Sequence, residues 1–212
     1  MKAWHFVRYD RRLGYADGRL VEVGKTYSTP DMYRPIELCN YGMHASVKPL
    51  DALEYAPGPI VCRVEMGGEI IRGADKIVAQ AREVLWMADA TSTLHEFACV
   101  VAEDALTLER GTDERSWAAI AAKREWLAGE ITSGDLAAAR AAASAAARDA
   151  DAAWAAAGAV DAARAASRAA DAARAAAWAA SSAAARAAAW AAAWGKQNAL
   201  LTRMLNKLGR SA

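Results

Sequence analysis

Few residues of this 212-residue chain have types that could carry chemistry. They are three histidines (His5, His44, His95), three cysteines (Cys39, Cys62, Cys99) and two glutamates, Glu65 and Glu69, set around a glycine pair. His44 sits in Gly42-Met43-His44-Ala45-Ser46, a glycine-containing turn of the kind that presents polar side chains to ligands. The plainer role for its ring is to bond a nearby carbonyl and hold the turn. Cys39 and His44 could join another ligand around zinc, but C-x4-H alone is a weak signal, so no metal is expected. His95 and Cys99, four apart, share one face of a helix and read as helix packing or helix surface. His5 lies between Trp4 and Phe6 in a strand, where a satisfied, partly buried ring is expected. Glu65 and Glu69 flank Gly67-Gly68 and are expected either as a carboxylate pair across a hairpin or as its solvent-facing positions. No Gly-x-Ser-x-Gly elbow, P-loop or dinucleotide fingerprint occurs, which leaves hydrolase, ATPase and Rossmann readings without support.

The elements that must position these residues change character along the chain. Ala3–Tyr9 is aromatic and β-branched, a first strand. Asp17-Gly18 between Leu13–Tyr15 and Leu20–Val23 predicts a hairpin. Ser28–Pro35 reads as loop, Ile36–Cys39 as a short strand, and 40–46 as a turn delivering the chain to a helix. Pro49 opens that helix and Pro57-Gly58 ends it. Ile60–Met66 alternates as a half-buried strand, which Gly67-Gly68 turns into Glu69–Arg72. After Asp89 the period lengthens to helical. A helix is expected from Thr91 to Glu109, then a second one capped by Thr112 or Asp113 and carrying Trp117, Ile120, Arg124 and Leu127. Gly129–Gly134 is a break, with Asp135 expected to cap the alanine-rich helix.

From Asp135 to Trp194 alanine is interrupted mainly by Arg, Asp, Ser and Trp. The larger residues recur at a mean spacing of about 3.6, the α-helical period, and alanine has the best helix propensity. A very long helix is expected, either one rod or two pieces broken at Gly158. It carries Trp154, Trp178, Trp190 and Trp194, and beyond Gly195 a stripe of Leu200, Leu201, Met204, Leu205 and Leu208. Tryptophans exposed on a helix indicate a partner surface or self-association; packing on the preceding elements is the alternative. The expected partner-binding set is therefore Trp154, Trp178, Trp190 and Trp194 with Leu201 and Leu205.

Charge excludes more than it suggests. With 26 Lys and Arg against 25 Asp and Glu, the net charge of +1 offers no field for nucleic acid or an anionic membrane. The alanine tract is broken by charge throughout and is no spanning helix. The start of the chain has no signal-peptide apolar stretch, and an odd set of cysteines without a CxxC pair indicates reduced thiols, hence a cytoplasmic setting in the host cell.

Two resemblances add to this. The runs CNYGMHASVKPLDALEYAPGPIVCRVEMGGEI, VLWMADAT, LHEFAC, RSWAAIAAKREWLAGE and the closing KQNALLTRML resemble, over nearly the whole chain, a family of uncharacterised proteins of bacteriophages and their actinobacterial hosts. That resemblance implies a phage or prophage setting and no activity. Separately, Gly42–Ser46 followed by Ala52–Ala56 and a strand resembles ADP-ribosyltransferase domains. It implies that His5 grips the adenosine ribose, Tyr55 stacks on nicotinamide, and Glu65 or Glu69 acts on the ribose hydroxyl. The small residue usual after the first-strand histidine is Phe6 here, and the glutamate has no clear counterpart.

The expectation is thus an α+β protein: a mixed head at 1–90, two linking helices at 91–134 and an alanine-rich arm with a leucine-rich end at 135–212. The function expected first is that of a non-enzymatic, phage-type accessory protein acting through a protein partner or self-association, without a cofactor. The alternative is an ADP-ribosyltransferase-like head that binds NAD or a nucleotide, as enzyme or as sequestering protein.

Overall fold

The computed structural model describes residues 1–14, 17–31, 33–108, 114–149 and 187–211. In chain order the elements are β1 (Lys2–Val7), β2 (Thr26–Ser28), β3 (Met43–Ala45), α1 (Pro49–Leu53), β4 (Ile60–Arg72), β5 (Ile77–Asp89), α2 (Thr91–Leu108), α3 (Glu114–Ala128), α4 (Ser133–Asp149) and α5 (Ala187–Gly209). The protein is α+β, with a five-stranded antiparallel sheet and helices. By its contacts the chain forms two units, Met1–Thr91 with Leu201–Ala212, and Ser92–Leu200.

In the first unit the sheet order is β1-β4-β5-β2, and β3 also pairs with β5. Just past β3, Ser46 exchanges both backbone hydrogen bonds with Trp4 of β1, at 2.8 and 3.0 Å. The pairings therefore run β1–β4–β5–β3 and back to β1, so the sheet closes on itself and leaves few bare edges. Alternation in β4 sends Ile60, Cys62, Val64 and Met66 to one face. Register places His5 beside Cys62, Ala3 beside Val64, and Arg82 between Met66 and Tyr27 on that same face. Apart from those two polar residues the face is apolar and buried, with Ala3, Val7, Tyr27, Met43, Ala45 and Val84 contributing. The other face carries Trp4 and Trp86 edge to face at 5.8 Å, with the Arg63 guanidinium 4.4 Å over the Trp4 ring. Gly209, at the end of α5, lies so close to the Trp86 indole that no side chain would fit there. Leu201 and Leu205 are fully buried in this unit.

Several expected elements take different forms. Ile36–Cys39 is no strand: Glu37 and Tyr41 bond each other across a tight loop, and Cys39 adopts a left-handed conformation with φ 64°. Met43–Ala45, expected as a turn, is β3. Gly67-Gly68 makes no hairpin turn. It forms a bulge inside the 13-residue β4, where Gly68 at φ 74° lets the strand carry extra residues past β5. The true turn lies at 73–76, closed by the Gly73 amide on the Lys76 carbonyl at 2.8 Å. The Asp17-Gly18 turn is present, and among the described residues its flanks pair through an Arg12–Leu20 bridge.

In the second unit α3 and α4 pack through Ala119 on Ala143 and Ala122 on Leu136, a small-residue contact that allows close approach. Their joint is a reciprocal cap. The Thr132 hydroxyl accepts the Asp135 amide at 3.2 Å, and the Asp135 carboxylate accepts the Thr132 amide and hydroxyl at 2.9 and 2.7 Å. Asp135 thus shares the capping role with Thr132. Both described ends of the alanine-rich tract are helical, in α4 and α5. Trp154, Gly158 and Trp178 lie outside the described residues, and with them the choice between one rod and a break.

Candidate functional site

The polar groups of the first unit converge on His44. Its ring is held at both nitrogens: Nδ1–H donates to the Gly42 carbonyl at 3.0 Å, and Nε2 accepts the Cys39 amide at 3.1 Å. The ring thereby fastens the 37–41 loop to β3, and Gly42 makes the connection possible. At φ 131° beside the Val78 side chain, it occupies a position that only glycine fits without strain. Burial, with Lys76 and Arg82 nearby, lowers the His44 pKa against the opposing effect of the Gly42 bond.

The His44 backbone makes the second connection. His44 and Ser46 are two apart, so their backbone groups point to the same edge, the one facing β1. Ser46 meets Trp4 there, but the His44 carbonyl accepts Arg82 Nη1 at 2.7 Å in place of a strand partner. Arg82 is 3% exposed, and its Nε has no hydrogen-bond partner among the described residues. Asp17, the carboxylate whose charge it feels, is occupied by Arg19 in a two-pronged ion pair at 2.6 Å per contact. Burial consequently brings the Arg82 pKa down to about 10. His5 faces the same surface. It is partly exposed as a residue although its neighbours on that face, Ala3 and Val7, are fully buried. Crowding by protein atoms, then the charges of Arg82 and His44, hold its pKa well below the ordinary value. The ring is neutral at pH 7. Cys62, directly across from His5, is pushed up to about 12 by burial and remains a thiol.

A second polar group lies near His44, whose pKa Lys76 influences. Tyr55, just past α1 and half exposed, donates to the Asp75 carboxylate, and Lys76 lies 3.9 Å over its ring. The Asp75 bond raises the Tyr55 pKa; bonding to Tyr55 and to the Cys39 thiol keeps Lys76 charged. His44 thus feels the charge of Lys76, which lies over Tyr55, and its carbonyl holds Arg82, whose charge reaches His5. It does not bring in the glutamates. Glu65 points to the opposite face from His5 and bonds the Met1 ammonium at 2.6 Å; Glu69 is exposed beside the bulge, its amide on Gln80 at 3.0 Å. Of the expected partner-binding set, Leu201 and Leu205 are in the protein's own core, Trp194 is partly exposed, and Trp190 lies in α5. Among the described residues no group of three or more His, Cys, Asp or Glu could hold a metal, and no helix is long and apolar enough to cross a membrane.

Arg82, Lys76 and Asp75 did not emerge from the sequence. The available signal was slight: Arg82 stands two before Val84, so in a strand a cation would share a face with an apolar residue. Chemically, the arrangement offers donors and positive charge inside an apolar, closed sheet, with an aromatic and a lysine whose charge reaches His44. It defines a small closed-sheet α+β domain with a cationic interior. Residues 1–96 match a family described as a domain of unknown function (DUF7666). No curated protein and no solved structure matches the chain.

Proposed function

We propose that the protein acts by binding, and that its head takes up a small ligand of the nucleotide class, NAD included, on the face that carries His5 and Arg82. One observation carries this reading: a histidine and a buried arginine with an unpartnered Nε share an otherwise apolar, buried face, an arrangement of a few polar groups in an apolar setting that ligand sites use. Sequestration or sensing suits the site better than turnover. Its facing thiol stays protonated, and neither Glu65 nor Glu69 shares the surface with His5. Calorimetric titration of the full chain with NAD, ADP and ATP tests it: saturable heat is expected with at least one, and no heat with any would defeat the reading.

The alanine-rich tract supplies the other half of the proposal. In a phage-type accessory protein of this kind, a long alanine-rich helix carrying Trp154, Trp178, Trp190 and Trp194 contacts a protein partner or a second copy. Support comes from its helical described ends and its repeated tryptophans. Sedimentation of the full chain should show mass rising with concentration, or a protein recovered with it from host cells; a strict monomer with neither would remove this half.

A further inference from the structure

We infer that the head contains a site for a small oxyanion, a phosphate or carboxylate group, seated on Arg82 beside His5. This inference rests on the reading of the head as a ligand-binding domain and names the chemistry that its ligand must carry. A buried guanidinium has five donors and is normally matched by a carboxylate or by several carbonyls, because an isolated buried charge is costly. Among the described residues Arg82 donates to the His44 carbonyl at 2.7 Å, while its Nε is buried without a partner. The charged and titratable groups around it do not neutralise it. Asp17 is engaged by Arg19, His5 and Cys62 are uncharged, and His44 and Arg19 are bases.

The position of Arg82 matters as much as its charge. It bonds the edge of β3 that faces β1, where in the Trp4–Ser46 register Phe6 would stand opposite His44. There the guanidinium takes the place of a backbone ladder, next to the partly exposed His5. An oxyanion entering at His5 would meet Nε and the neutral imidazole, which can donate one hydrogen bond. A neutral or cationic ligand would leave the charge uncompensated.

The test uses the full chain in low-salt buffer free of oxyanions. Inorganic phosphate, acetate, ADP and adenosine are titrated by calorimetry, and the His5 imidazole resonances are followed by NMR. Phosphate or acetate, and ADP, should bind and shift the His5 signals, whereas adenosine should not. Arg82→Met should weaken oxyanion binding on the order of ten- to a hundredfold. Should that variant fail to fold, the His5 response of the unaltered chain decides alone. Undiminished binding by folded Arg82→Met, or oxyanions that leave His5 untouched, would overturn the inference. ADP and adenosine binding equally well would sink the oxyanion site while leaving the ligand-binding head intact. Silence from all four would sink both. Phosphate binding without acetate, or the reverse, supports the site and identifies which oxyanion it accepts.

Discussion

Arg82 and Lys123 are both buried cations with no ion-pair partner among the described residues, and they behave differently. Arg82 cannot shed its proton at physiological pH, so its environment must supply an anion or bear the charge. Lys123 can. It is 2% exposed, its Nζ has no hydrogen-bond partner among the described residues, and it lies 3.8 Å over the Trp126 ring, while the neighbouring Arg124 takes both Glu96 and Glu103. Burial lowers the Lys123 pKa to about 8 from an ordinary 10.5. Between those values the unfolded chain holds more protons than the folded one, so stability rises with pH across that window and the penalty is complete below it. Lys123→Met should therefore stabilise the protein at pH 7 by roughly 3 kcal/mol at most, with the gain shrinking towards pH 10; denaturant melts at the two pH values check it. His95 works in the same direction at lower pH. Burial and the Lys123 charge bring it to about 4 from 6.5, so the unfolded state gains a proton first and stability falls as pH drops from 6.5 towards 4. Replacing His95 by Gln should flatten that part of the pH profile of Tm. At this scale His44 was legible from its glycine-containing turn, and the plain role as turn holder is the one its ring performs. Arg82 was not legible, because nothing in the sequence around it reveals that its carboxylate neighbour is taken by another arginine.

At the scale of elements, propensity and punctuation did most of the positioning. The helix opened by Pro49, the period change after Asp89 and the break before α4 are all where sequence pattern puts them. The misreadings cluster at glycines. Gly67-Gly68 has turn composition but serves as a bulge, since pairing with β5 on both sides outweighs the local turn preference. The reciprocal cap at α4 gives a direct test: Thr132→Ala should cost ~1 kcal/mol of stability, measured by urea denaturation, and leave the fold of the first unit unchanged. Gly42→Ala should be more damaging than a surface change, by about 1–3 kcal/mol for strained backbone alone, because its φ of 131° and the Val78 side chain both resist a Cβ. Thermal melts of that variant, with His44 NMR to follow release of the loop, would show whether the His44 clamp goes with it.

For the whole molecule, the informative residues are the last dozen. Leu201 and Leu205, read from sequence as a contact surface for partners, are completely buried, and 201–212 belong with 1–91. Each of Leu201→Ala and Leu205→Ala should cost about 2–5 kcal/mol, read as a fall in the denaturation midpoint of the sheet-containing unit; a loss confined to the helical unit would contradict this assignment. A chain ended at Gly134 would lack both leucines, so full-length variants are the sound way to examine the head. By itself the sequence determined the α+β class, the strand-then-helix order, the helical period of the alanine tract and the absence of familiar catalytic fingerprints, because these depend on residues near one another in the chain. Only the tertiary structure decided which strands close the sheet, that Leu201 and Leu205 are core, and that Arg82 bonds the His44 carbonyl from the face that carries His5. Those outcomes depend on pairings between residues tens of positions apart, and local periodicity carries no information about which distant edge or face a residue will find.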